Sequence, residues 1–474
     1  MRELLHHYID GAWVESIGGV PHHVINPATE APCTTITLGT NADVDRAVAA
    51  ARRAFSSFSQ ASVDERVALI ERILVEYKAR AADMAVAISE EMGCPIGMAR
   101  TAQVGSGIGH FMAAIRALRE FEFEERIGTH AVVREPIGVV AMITPWNWPL
   151  NQIVSKVAPA LAAGCTMILK PSEESPACAA IFAEVLDKAG VPAGVFNLVN
   201  GDGPGVGTAL SKHPGIDMVS FTGSTRAGIM VAKNAADTVK RVHQELGGKS
   251  PNLILPSADL PRAVQGGLMS VLMNSGQSCI APARMLVQRD QQDAAVELAA
   301  QIVGATETGD PMVEGRHIGP VVNQAQYEKI QRLIQQGIDE GARLVVGGPG
   351  RPEGGNQGFY IRPTLFADVT NDMTIAREEI FGPVVTIIPY DDVEQGIEIA
   401  NDTSYGLSAV VFGEPAEARA VAGRLQAGMV YLNGGAPDPN VPFGGYKQSG
   451  NGREHGKYGL AEFMEVKSVM NAYA

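Results

Sequence analysis

An α/β fold built on parallel sheets is what the sequence predicts, and three observations predict it. Short apolar runs alternate along the chain with segments of helical periodicity. No internal repeat, low-complexity tract or long block of like charge interrupts that alternation. The chain has 474 residues, 46% of them hydrophobic. That is enough for two or three domains, or one elaborated unit, with cores that need no disulfide or metal staple.

Taken in order, Asp43 to Met92 is nearly all helical in pattern. Ser62-Val63-Asp64-Glu65 is a capping box, and Val67, Ile70, Ile73, Leu74 and Tyr77 then recur at helical spacing, as a helix packed on a sheet requires. Strand candidates follow at Ile137–Ile143, Thr166–Leu169, Val195–Val199, Met218–Thr222, Val242–Leu246 and Leu253–Leu255. A second set lies at Met285–Val287, Leu344–Val346, Val384–Ile388, Ala409–Phe412 and Met429–Leu432. Helix candidates between them include Ser175–Ala189, Ser224–Ala236 and Gln324–Glu340.

Composition excludes several classes of function. Lys plus Arg is 38 and Asp plus Glu is 52, a net charge of −14, which argues against a nucleic-acid partner. It leaves room for an anionic cofactor held by backbone N–H groups. The apolar runs are too short to span a bilayer, and the N-terminal stretch lacks the apolar core of a signal peptide, so no membrane partner is expected. The five cysteines form no C-x-x-C pair and no zinc-ligand spacing, which points to free thiols, a cytoplasmic location and no metal. Gly248-Lys249-Ser250 ends like a phosphate loop, but His243 stands where that loop needs glycine, and Gly201–Gly207 fits no dinucleotide fingerprint.

Five segments carry candidate chemistry. Gly223 and Ser224 end a strand and open a helix, where N–H groups can approach a phosphate, although many strand-to-helix turns look alike. Lys170-Pro171-Ser172-Glu173 follows a strand end, where Glu173 suits ribose hydroxyls and would repel a 2′-phosphate; a solvated, helix-capping carboxylate is the alternative. Asn147 lies between two tryptophans and two prolines, a rigid setting for an amide aimed at developing negative charge. Cys279 follows a helical segment broken at Gly276 and has no acidic neighbour in sequence. That distinguishes it from the other cysteines, for which a buried inert thiol is the default. Glu245 ends a strand before a glycine pair, as a base or merely a surface carboxylate.

Together these segments resemble the aldehyde dehydrogenase superfamily. PWNWPL, KPSE, FTGSTRAG, ELGGKSPN, GQSC, EEIFGP and PFGGYKQSG occur in that family's order and spacing from Pro145 to Gly450, and the resemblance extends over essentially the whole chain. It implies that Cys279 attacks the aldehyde to give a thiohemiacetal, and that Asn147 and the Cys279 N–H form the oxyanion hole. Hydride then passes to nicotinamide, and Glu245 activates water to hydrolyse the thioester. Glu454 and Lys156 match positions that move protons. Lys170, Glu173, Gly223, Ser224, Gly228, Glu379, Phe381 and Trp146 match cofactor contacts, with NAD preferred over NADP on the evidence of Glu173.

The resemblance further implies a Rossmann-like cofactor domain (1–117, 137–247 and 449–463), an α/β catalytic domain (248–448) and a small β oligomerisation element (118–136 and 464–474). A homodimer or homotetramer is expected. Substrate-tunnel positions are Trp148, Asn151, Gln152, Ser155, Met273, Ser278 and Pro437, whose residue types suggest a roomy, rather polar tunnel. No arginine marks a carboxylate-bearing substrate near Cys279 in sequence; an approach by Arg284 or another distant arginine in the fold stays open. Two competitors stand beside hydrolytic oxidation: a CoA-acylating enzyme, against which Glu245 argues, and a non-catalytic binding or structural relative.

Overall fold

The computed structural model describes residues 1–355 and 357–474, and every apolar run named above overlaps one of its strands. The first sheet has eight strands in the order Gly450–Asn451, Arg241–Glu245, Met218–Thr222, Val139–Ile143, Thr166–Lys170, Phe196–Leu198, His6–Ile9 and Ala12–Glu15. The five from Arg241–Glu245 to Phe196–Leu198 are parallel, and the outer strands join antiparallel. Alternate side chains of one strand serve two cores. Val140 and Met142 pack with Ile153, Val157 and Phe182, whereas Val139, Ala141 and Ile143 pack with Val44, Ala47 and Val48. Each large apolar side chain so buried contributes about 1.5–3 kcal/mol, which fixes the strand register.

The second sheet has seven strands, in the order Arg343–Val346, Thr364–Ala367, Val384–Tyr390, Arg284–Gln288, Pro251–Ile254, Ser408–Phe412 and Met429–Leu432. All its pairings are parallel except the first. Its two faces likewise carry separate cores, one around Leu253, Leu286 and Ile388, the other around Ile254, Met285 and Ile387.

Asp43 to Met92 forms three helices, Asn41–Phe58, Val63–Ala79 and Ala81–Met92. The capping box is made: Ser62 Oγ accepts from Glu65 N at 3.2 Å, and Glu65 Oε2 accepts from Ser62 N at 2.7 Å. Two small sheets, one mixed and one antiparallel, lack continuous apolar runs, which is why the apolar-run pattern misses them. One is Val20–Asn26 with Ala31–Leu38, to which Arg2–Leu4 adds in parallel. The other is Glu124–Ile127, His130–Pro136 and Met464–Val469. The predicted boundary before residue 118 falls inside the Val104–Glu120 helix, so this last sheet starts later than expected. Among the described residues, no helix is long and apolar enough to cross a membrane, and no cluster of three or more His, Cys, Asp or Glu could hold a metal.

Candidate active site

Strand ends bring the candidate residues together. The Val139–Ile143 strand leads into Thr144–Trp148, and Pro149 then starts the Pro149–Ala163 helix at a position where a missing N–H costs nothing. Asn147 is 4% exposed, and its Nδ2 donates to the Gln277 carbonyl at 3.0 Å. Its own carbonyl accepts from Gln103 Nε2 at 3.0 Å and Asn274 Nδ2 at 2.9 Å. Trp148 Nε1 donates to Ser278 Oγ at 2.8 Å, lacing this loop to the one that carries Cys279.

That second loop is strained and tied down. Asn274, Ser275 and Gly276 have φ of 54°, 56° and 75°, a left-handed run that non-glycine residues adopt only when their surroundings enforce it. The enforcing contacts are visible. Ser275 Oγ donates to Gly319 O at 2.8 Å, Gln277 Oε1 accepts from Val322 N at 2.9 Å, and a Cβ on Gly276 would lie 2.0 Å from the Gly382 carbonyl oxygen. The last contact seats the thiol loop against Phe381, itself at φ 63° and held through its carbonyl by Gln326 Nε2 at 3.0 Å.

Cys279 is half-buried and stands in the walls of two cavities at once. The smaller, about 680 Å³, is lined by Trp146, Asn147, Gly223, Ser224, Glu379 and Phe381 among others. Trp146 and Phe381 meet edge to face at 5.5 Å across it. Ser224 caps the Thr225–Ala235 helix, its Oγ accepting from Ala227 N at 3.3 Å. The larger cavity, about 1320 Å³ with its open mouth, is lined by Trp148, Asn151, Gln152, Met273, Ser278 and Pro437, all expected there, and by His110, Tyr431, Phe443, Glu454 and His455.

Several expected residues lie elsewhere. Ser155 is outside the tunnel wall, because its hydroxyl turns back to the Gln152 carbonyl at 3.2 Å inside the helix packing. Gly228 is outside the smaller cavity; a Cβ there would lie 2.6 Å from Leu246 Cδ2, so its role is close packing. Lys170 and Glu173 sit at the carboxyl end of the Thr166–Lys170 strand, beyond the cavity wall. Lys170 Nζ donates to Gly201 O at 2.6 Å, Pro171 O at 2.8 Å and Glu173 Oε2 at 3.1 Å. Arg284 does not fold towards the thiol: it is fully buried and donates to the carbonyls of Lys249, Ile399 and Ala400.

Burial governs the electrostatics. It pushes the Cys279 thiol up, and Glu379 and Glu245, distant in sequence but near in space, push it further, so the resting group is the thiol. Glu245 is 2% exposed, not a surface carboxylate, and burial followed by the charge of Glu454 raises it well above its ordinary value. It stands in neither cavity wall. Burial would raise Glu454 too, but the ion pair with Lys156 holds it well below the usual range.

Sequence reasoning missed the histidines. His110 and His455 meet at 4.6 Å with their planes tilted by 41° in the tunnel wall, and His455 also meets Phe443 at 5.1 Å. Burial lowers both, His455 to about 3 with His110 as the next cause, so both rings are neutral. His455 adjoins Glu454 in sequence, a signal that was there to use; His110 sits in an apolar helix pattern and gave none.

Comparison with known proteins agrees with this geometry. A family model described as the aldehyde dehydrogenase family matches residues 13–469. A 3-succinoylsemialdehyde-pyridine dehydrogenase from a Pseudomonas species is 54% identical over 99% of both chains. Aldehyde dehydrogenase C from Pseudomonas syringae, a mutant solved with NAD+ and octanal, superposes with a TM-score of 0.98 at 52% identity, covering 99% of this chain and 97% of that one. An aldehyde dehydrogenase structure from Bartonella henselae gives a TM-score of 0.97 at 47% identity, covering 99% of each chain.

Proposed function

The chain belongs to the aldehyde dehydrogenase family and oxidises an aldehyde to a carboxylic acid with NAD(P), and from that premise we propose which of its residues do so and on what class of substrate. Cys279 is the nucleophile. The observation that carries the assignment is its place in both cavity walls, where a carbon held in the larger cavity can meet both the sulfur and a hydride acceptor in the smaller one.

The smaller cavity fits the dinucleotide. Glu379 Oε1 accepts from Gly248 N at 2.9 Å, Oε2 remains for a ribose hydroxyl, and glycine at 247 keeps open a space that a Cβ would close to 2.5 Å from that oxygen. Gly223 and the Ser224-capped helix start suit the pyrophosphate, and Lys170 with Glu173 the adenosine ribose, favouring NAD over NADP. What the bound cofactor supplies is the hydride acceptor.

The chain's own groups do the rest. The thiol releases its proton to water as the sulfur bonds to the aldehyde carbon, and Asn147 Nδ2, turning from the Gln277 carbonyl, donates to the oxyanion together with the Cys279 N–H. Once the thioester has formed, Glu245 takes a proton from water, whose oxygen attacks the acyl carbon and releases the acid and the thiolate. Glu454, paired with Lys156, borders this region and the tunnel as a fixed negative charge that orders water for the proton to leave by.

The tunnel takes an uncharged aldehyde with an alkyl chain or an aromatic ring. No lysine or arginine is among its described wall residues, Asp438 and Glu454 repel carboxylates, and the neutral His110 and His455 rings offer faces for stacking. Octanal in the Pseudomonas syringae complex and the pyridine-bearing substrate in the Pseudomonas relative's name are both of this kind at the end remote from the aldehyde. The Glu124–Ile127, His130–Pro136 and Met464–Val469 sheet, with Val466 and Met470 exposed, supplies the surface for a homodimer or homotetramer. Five free cysteines suit a cytoplasmic enzyme.

Cys279→Ala is expected to abolish NAD(P)H formation while leaving NAD+ binding, followed by calorimetry, within about twofold. Turnover that persists would overturn the nucleophile. In wild type, kcat/KM should favour octanal and benzaldehyde over an aldehyde of equal length ending in carboxylate; the opposite order would remove the neutral-substrate assignment.

A further inference from the structure

The Glu245 carboxyl rests on a histidine. His243 and Glu245 lie two positions apart on the Arg241–Glu245 strand and therefore project from the same face. His243 Nε2 is 3.3 Å from Glu245 Oε1, with the side chains 1% and 2% exposed. Glu245 Oε2 and His243 Nδ1 are both buried without a partner among the described residues. Two glycines make the space: a Cβ on Gly452, at φ 78°, would lie 2.4 Å from His243 Cδ2, and one on Gly444 would lie 2.8 Å from Glu245 Oε1.

The charged groups facing this pair come from three directions. Lys156 projects from the Pro149–Ala163 helix, Arg453 and Glu454 from the segment before the Gly456–Glu462 helix, and Glu462 from that helix itself. Burial, the largest influence, keeps the imidazole neutral by lowering it to about 4. A neutral imidazole carries one N–H. With that hydrogen on Nε2 it serves the carboxylate, and Nδ1, buried without a partner among the described residues, carries no stranded N–H.

We propose that His243 is the positioning residue of the general base: its Nε2–H holds Glu245 by Oε1 in a withdrawn position behind the Cys279 wall, and leaves Oε2 as the oxygen that takes the proton from water. The proposal rests on the assignment of Glu245 as that base. At 3.3 Å the bond is longer than the usual 2.9–3.0 Å, so the carboxyl can leave it to reach the thioester and return. The donation favours the carboxylate and works against its burial, which keeps a deeply buried acid usable as a base.

The experiment follows decay of the acyl-enzyme by intact mass in quenched single turnovers from pH 5 to 9. In His243→Leu the acid limb of the decay rate should move up by about one pH unit, the size of one hydrogen bond to a charged group, with the KM for aldehyde unchanged. His243→Gln, whose amide can donate in the same direction, should return the limb towards the wild-type position. If the leucine variant does not fold, His243→Thr, too short to reach Oε1, replaces it with the same expectation. An unmoved limb in the leucine or threonine variant, or a glutamine variant no different from leucine, would overturn the proposal. Failure of the underlying assignment looks different: Glu245→Gln would then hydrolyse the thioester at the normal rate, whereas a blocked Glu245→Gln with an unmoved His243→Leu limb condemns His243 alone.

Discussion

Glu245 and Glu454 are two carboxyls at the same depth, 2% and 4% exposed, in the same side-chain cluster, and the fold drives them in opposite directions. Burial penalises the charge of both. Glu454 overcomes it with the Lys156 ammonium against Oε1, and remains a permanent anion. Glu245 has only the long contact to a neutral imidazole, and the fixed charge of Glu454 beside it raises it further. Burial alone therefore assigns neither role. The partner decides, and the structure has one carboxyl free to gain a proton next to one that is not.

The comparison breaks most visibly at Glu245. Glu245→Gln keeps the shape but cannot take a proton, so thioester hydrolysis should slow by about 10²–10⁴-fold, the usual worth of a general base. The acyl-enzyme should accumulate and be visible by mass spectrometry after a burst of NAD(P)H. Absence of that species at normal turnover would mean that the two carboxyls do not differ in function.

Lys156→Met makes the two carboxyls alike by removing the ammonium. Stranding a buried partner costs about 3–5 kcal/mol, read from urea midpoints, and Glu454 should then take up a proton as Glu245 does. Adding Glu454→Gln to Lys156→Met should recover much of that stability, because no charge is then left unpaired. A Lys156→Met protein as stable as wild type would show that the pair is not what holds Glu454 down.

Much of this was legible along the chain, and each exception has its own physical cause. Strands with continuous apolar runs, such as Met218–Thr222, could be read because both their faces are buried, and Asn147, Glu245 and Cys279 stood out as candidates because strand ends and glycine breaks mark them. Val20–Asn26 and Ala31–Leu38 could not, since a solvated face breaks the apolar run. Ser155 was misplaced because helical spacing puts it on the face of Asn151 and Gln152 but one turn further along, where it is buried and its hydroxyl turns back to the Gln152 carbonyl. Lys156, by contrast, meets a partner almost three hundred residues away, which no local pattern encodes. His243 was the most readable omission: strand alternation puts it on the face of Glu245, and only its apparent ordinariness hid it.

The smallest effect is also the one most specific to the pair. Glu454 is lowered in the folded protein, so its contribution to stability is present above the unfolded value of about 4.3 and is lost as pH falls below it. Glu245 is raised, so its contribution is present below about 4.3 and is lost as pH climbs through the higher folded value. Urea midpoints against pH should therefore respond to the two glutamine variants in separate windows and with opposite sign. Glu454→Gln should flatten the fall in stability on the acid side of pH 4.3. Glu245→Gln should remove a fall that develops on the alkaline side. Neither change can exceed about 1.4 kcal/mol per pH unit, the linkage of a single proton. Two variants that alter the same window with the same sign would show that the carboxyls titrate as one group and that Lys156 does not separate them.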